Sequence, residues 1–79
     1  MDRTELDQAL LQAHARVDKQ ALVSLYRQAG DAAEREGDIN AACFFLTHAF
    51  VFALEIGSPD AECLNRRLVE KGRATLLSF

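Results

Sequence analysis

The segment from Ile39 to Ile56 constrains the fold more than any other part of the chain. Placed on a helix, its apolar residues cover more than half of the circumference, whereas a helix at a protein surface needs an apolar stripe of only about 100°. Neighbouring elements must therefore enclose this helix on at least two sides and cover Phe45, Leu46, Phe50 and Phe52. The remaining face carries Asn40, Thr47, His48 and Glu55 together with Phe44 and Val51.

The rest of the chain predicts three further helices and no strand. Apolar residues recur at three- and four-residue spacing between capping and breaking residues, which is typical of amphipathic helices. The four helices are expected at about Thr4 to Arg16, Asp18 to Glu36, Ile39 to Ile56, and from Ser58-Pro59 to about Lys71. Because no segment alternates apolar and polar residues for long, we predict an all-α fold.

We expect residues 1–79 to form a single helical domain of four antiparallel helices, with a core hairpin at about 18–56. The predicted second helix contains Gly30, and a glycine inside a helix costs about 1 kcal/mol relative to alanine. Close approach of a neighbouring helix would explain this glycine. On the polar side of the same helix, the four-residue spacing predicts the ion pairs Arg27–Asp31 and Asp31–Arg35.

Composition argues against several classes of function. The chain has 79 residues, a net charge of −3 and 49% hydrophobic residues. A nucleic-acid-binding protein usually shows a basic face, and the nearest approach is Arg66, Arg67, Lys71 and Arg73. The most apolar stretch, from Ala41 to Leu54, is broken by Thr47 and His48 and is shorter than the roughly 20 residues that span a membrane. A charged start without a signal peptide predicts a cytoplasmic protein.

The stretch from Leu22 to Leu54 resembles a tetratricopeptide repeat, a right-handed helix-turn-helix unit of about 34 residues. Tyr26 stands where the first bulky aromatic residue is expected, and Gly30 where helices cross closely. Gly37-Asp38 is the turn, and the second helix has the small-large-small pattern of Ala42, Leu46 and Ala49. Two residues depart from the family pattern: Ala33 replaces a large aromatic residue, and Leu54 stands where the closing proline falls.

The resemblance implies a binding groove. In this family the first helix of each repeat lines a concave groove that binds peptides. The residues implied here are Ser24, Arg27, Asp31, Glu34 and Arg35. An ordinary solvated helix face is the alternative interpretation.

A second candidate surface is apolar, and it would serve self-association. Large apolar residues beside polar ones on an outer face often mark an association surface. The residues of this surface are Phe44, His48, Val51, Glu55, Leu76, Leu77 and Phe79. Cover by the first helix or by the C-terminal tail is the alternative.

The sequence therefore favours a small non-catalytic module that binds another protein or itself as a homo-oligomer, without a cofactor and without chemistry of its own. One alternative is a small metal- or thiol-dependent enzyme that uses Cys43, His48 and Cys63. However, Cys43 and His48 are five residues apart on a predicted helix, so their side chains point in different directions. A nucleic-acid-binding helical bundle is a further alternative.

Overall fold

The computed structural model describes residues 2–73, which form four α-helices and no strand. The helices are α1 (Arg3–Ala15), α2 (Lys19–Arg35), α3 (Ile39–Ile56) and α4 (Asp60–Glu70). Each helix packs on its neighbours in the chain, so that α2 contacts α1 and α3, and α3 also contacts α4. The result is a small all-α bundle shaped as a slab of 32 × 29 × 13 Å, which confirms the predicted fold class.

Local capping explains where α2 and α3 begin and end. The Asp18 carboxylate accepts the backbone N–H of Ala21 at 3.1 Å, and the Asp38 carboxylate accepts that of Ala41 at 3.0 Å. Such caps satisfy backbone donors that have no partner inside the helix. Gly57 follows α3 with a φ of 66°, a left-handed conformation that favours glycine. The predicted bounds of both helices are confirmed.

The ends of α1 and α4 differ slightly from the prediction. The first helix was expected to begin at about Thr4, but Asp2 caps it by accepting the N–H of Glu5 at 2.8 Å. Aspartate is at least as good a cap as threonine, and α1 therefore begins at Arg3, one residue before the predicted start. α4 begins at Asp60 rather than at Ser58-Pro59. The Ser58 hydroxyl accepts the N–H of Asp60 at 3.1 Å.

The core lies where α2 crosses α3. Ala42, Leu46, Ala49 and Ala53 are fully buried on one side of α3. A Cβ atom added to Gly30 would lie 2.8 Å from both Cγ and Cδ2 of Leu46. Glycine therefore allows the two helices to approach closely, which confirms the interpretation of this residue.

Enclosure of α3 by α2 and α4 on two sides is also confirmed. Leu46 is fully buried, while Phe45, Phe50 and Phe52 are half-buried, the last two packed against the core. By length and composition alone, α3 could cross a membrane, with a mean hydropathy of 1.7. A core helix passes the same test, so this property does not place the protein in a membrane.

Candidate interaction surface

The polar face of α2, predicted to line a groove, is largely engaged with α4. Asp31 and Glu34 bind the Arg67 guanidinium at 2.7 and 3.1 Å. Glu34 also binds the Lys71 ammonium. We name these four residues the α2–α4 seam.

The other predicted groove residues have different surroundings. Arg27 lies 3.7 Å from the Asp60 carboxylate of α4. The Ser24 hydroxyl accepts a long hydrogen bond of 3.4 Å from the Gln28 side chain, and Arg35 is exposed. The predicted Arg27–Asp31 and Asp31–Arg35 pairs are wrong, because α4 offers closer partners to Arg27 and Asp31.

Electrostatics within the seam stabilise the charged forms. The Lys71 ammonium holds the pKa of Glu34 below its ordinary value of 4.5, against the opposing effect of burial, and Arg67 adds to the lowering. Burial alone would lower the pKa of Arg67, but its hydrogen bonds to Asp31 and Glu34 outweigh that effect and raise it. The seam is therefore a structural contact between α2 and α4.

The basic residues considered for nucleic-acid binding also have partners. Arg66 binds Glu62 at 2.9 Å, and Arg73 donates to the Asn40 side chain at 2.7 Å. Arg67 and Lys71 belong to the seam. These residues therefore do not form a free cationic patch of the kind that neutralises phosphates.

Within residues 2–73, the outer face of α3 carries three large exposed apolar side chains along one side of one helix. We define it as Asn40, Phe44, Thr47, Val51 and Leu54. Phe44 is 57% exposed, and Val51 and Leu54 are each 45% exposed. Phe44 and Val51 thus lie on the surface predicted for self-association. Leu54 was not included in the predicted surface, because it lies at the boundary between the two faces of the helix.

The other predicted members of this surface flank the outer face or lie outside the described residues. Glu55 is exposed and binds Lys19 at 2.8 Å. His48 is half-buried, and its Nδ1 donates to the Phe44 carbonyl oxygen at 2.9 Å. Leu76, Leu77 and Phe79 lie outside residues 2–73.

A shallow depression of about 420 Å³ indents the outer face near the start of α3. Its walls are Asn40, Cys43, Phe44, Thr47, His48 and Arg73. The depression opens to solvent directly beside Phe44. It therefore offers room for a side chain that belongs to none of residues 2–73 of the same chain.

His48 belongs to an aromatic cluster that no short-range sequence pattern predicts. Its ring stacks on Tyr26 with the centroids 5.0 Å apart. The hydroxyl of Tyr26 lies 2.9 Å from Nε2 of His14, and Phe52 also stacks on the phenol ring. Burial raises the pKa of Tyr26 above its ordinary value of 10.0. The cluster joins α1, α2 and α3.

The residues of the metal and thiol alternative do not form a compact constellation. Cys43 is buried on α3, whereas Cys63 is exposed on α4. Across residues 2–73, no three side chains of the His, Cys, Asp and Glu types lie together in a way that could hold a metal ion. The structure does not bring Cys43, His48 and Cys63 together as one site.

A second groove, of about 370 Å³, separates α1 from α3. Leu6, Leu10 and Phe45 form its apolar walls, and alanines of α2 form its floor. Four carboxylates and one arginine line its rim: Asp2, Asp7, Glu36, Asp38 and Arg3. Two of the carboxylates are helix caps. By charge complementarity, this groove suits an apolar group that carries a positive charge.

Known proteins provide no relative from which a function can be transferred. No protein-family model matches the chain, and no curated protein or solved structure matches it either. The function is therefore inferred from the surfaces described above.

Proposed function

We propose that the protein is a non-catalytic interaction module that binds another protein, or a second copy of itself, through the outer face of α3. The observation that carries this proposal is the exposure of Phe44, Val51 and Leu54 along one stripe of one helix. Scattered apolar residues are normal at protein surfaces, but contiguous apolar patches usually mark interaction sites.

The arrangement of the helices supports a tetratricopeptide-like module. The α2–α3 hairpin is followed by α4, which the seam joins to α2. This is the arrangement expected if α4 opens a following repeat. Because Asp31 and Glu34 are engaged in the seam, the outer face of α3 is a better binding surface than the polar face of α2.

The surroundings of the cysteines and basic residues favour protein binding over the alternatives. Cys43 is buried in the apolar core of α3, whereas Cys63 is exposed on α4, so the two thiols do not share a site. The ion pairs of Arg66 and Arg67 disfavour nucleic acid as the partner. Metal analysis, native thiol-reactivity rates and salt-dependent binding to a polyanion test these two alternatives directly. The cytoplasmic location stays a prediction.

The test of the proposed function compares Phe44→Asp with Leu11→Asp. Both variants place a carboxylate at an exposed apolar position, since Leu11 is 70% exposed on α1. We measure self-association by light scattering and retention of host proteins on the immobilised chain. Phe44→Asp should lose the binding that the native chain shows, and Leu11→Asp should keep it. If both variants bind as the native chain does, or the native chain binds nothing, the proposal is wrong.

A further inference from the structure

The outer face of α3 has the residue spacing of a helix–helix seam. Positions 40, 44, 47, 51 and 54 alternate between steps of four and three residues. This alternation defines the a and d positions of a heptad, with Phe44 and Val51 at a and Thr47 and Leu54 at d. Such a stripe is complementary to another helix that runs nearly parallel or antiparallel to α3.

The depression on this face has the composition of a hole in knobs-into-holes packing. A hole consists of four residues of one helix, and a side chain of the facing helix enters it. Asn40, Cys43, Phe44 and Thr47 line the depression, and their spacing of three, one and three residues is that of such a hole. The depression therefore suits one apolar side chain of a facing helix.

The two ends of the outer face differ in charge. Arg73 lies beside Asn40 at the start of α3, and Glu55, which also binds Lys19 of α2, lies at its end. The helix dipole adds positive charge at the start and negative charge at the end. An antiparallel second α3 would place Glu55 next to Arg73 and oppose the two dipoles, whereas a parallel one would bring like charges together.

We propose that the partner of the outer face is a second copy of this chain, packed with its α3 antiparallel. In this arrangement Leu54 of each copy enters the depression beside Phe44 of the other copy. Thr47 then faces Val51 of the second copy, and Glu55 faces Arg73. The inference rests on the proposed function, and it names the partner of the same surface.

Self-complementarity is the reason for a second copy. One twofold axis, at the level of Ala49, pairs each a position with a d position and each charged end with its opposite. The same patch thus serves both copies, as in an isologous dimer. Because only one helix of each copy contributes, the contact is small, and we expect a dissociation constant on the order of micromolar.

The first experiment measures the oligomeric state of the full chain by sedimentation equilibrium from about 1 to 500 μM, a range set by that expected affinity. The native chain should pass from monomer to dimer. Leu54→Ala should raise the dissociation constant by about 10-fold or more, because a leucine side chain leaves an apolar site. Leu11→Ala is the matched control, and it should leave the constant unchanged.

The second experiment determines the direction of the two helices. In a background of Cys63→Ser, which keeps the buried Cys43 in the wall of the depression, we prepare Thr47→Cys and Val51→Cys as separate proteins. After mild oxidation, the antiparallel arrangement should give a disulfide in the mixture of the two, and little in either protein alone. A parallel arrangement would crosslink each protein to itself.

The outcomes separate this inference from the proposed function. A native chain that stays monomeric throughout, or a dimer that is insensitive to Leu54→Ala, overturns the second copy as partner. Crosslinking of each cysteine variant to itself overturns the antiparallel direction. In either case the proposed function still stands or falls on whether Phe44→Asp abolishes binding of another protein.

Discussion

The two faces of α3 are both apolar, but they differ in side-chain size and in what covers them. On the inner face, Ala42, Ala49 and Ala53 surround Leu46, and all four are fully buried. On the outer face, Phe44 is 57% exposed. Small residues allow α2 to approach until close packing is reached, whereas the large outer residues have no helix of the described chain over them. Hydrophobicity alone therefore does not distinguish a core face from a binding face.

The stability that packing of the inner face gives to the fold should depend strongly on Leu46. Replacing a buried leucine with alanine removes packing and leaves a cavity, so Leu46→Ala should lower the free energy of unfolding by about 3 kcal/mol. Urea unfolding at a fixed protein concentration measures this, since association also adds stability. A loss below about 1 kcal/mol, the size expected for a surface change, would show that α2 and α3 are not closely packed here.

A methyl group added at Gly30 should clash with Leu46 and lower the free energy of unfolding. The added Cβ would lie 2.8 Å from the leucine side chain, which is itself fully buried. Overpacking costs about 1–3 kcal/mol and alanine regains about 1 kcal/mol of helix propensity, so Gly30→Ala should destabilise by about 1 kcal/mol.

The matched control for this crossing is Gly30→Ala in the Leu46→Ala background. There the methyl group enters vacated space, so the same change should become stabilising. Equal effects of Gly30→Ala in both backgrounds would contradict the close approach of the two helices.

Local features of the fold were predictable from the sequence, because they depend on neighbouring residues. The caps at Asp18 and Asp38 and the turn at Gly57 require only short-range geometry. Pairings between helices were not predictable in the same way. Asp31 has arginines four residues away on either side along α2, yet it binds Arg67, because the position of α4 decides which cation is nearer.

The candidate surface was only partly predictable from the sequence, because part of it depends on how the helices pack against one another. The face with Phe44 and Val51 follows from helical periodicity. Leu54 lies at its edge, where periodicity cannot decide between cover and exposure. The cluster of His14, Tyr26 and His48 brings together residues from three helices, and no short-range pattern contains it.

The α2–α4 seam should contribute less to the free energy of unfolding than the inner face of α3 does. Its contribution should also depend on pH. The pKa of Glu34 is lowered in the folded protein, so its contribution is present above pH 4.5 and is lost as the pH falls through the folded pKa. At pH 7, Glu34→Gln should cost less than about 1 kcal/mol, as is usual for partly exposed ion pairs.

Unfolding curves of Glu34→Gln and the native chain between pH 3 and 7 test the seam. The difference between them should shrink below pH 4.5. Glu70→Gln, at an exposed carboxylate of α4, is the control and should show a smaller difference at pH 7. A difference for Glu34→Gln that grows as the pH falls would contradict the seam.

The smallest effect on folding, and the most direct test of the outer face, is expected for Phe44→Trp. The chain has no tryptophan, so the fluorescence of this variant reports the surroundings of position 44 alone. The account predicts emission typical of a solvated indole at high dilution. A blue shift and protection from acrylamide quenching should develop as the protein concentration rises or a partner is added. Solvated emission under every condition, or buried emission even at the highest dilution, would contradict a binding surface that is open in the single chain and covered on association.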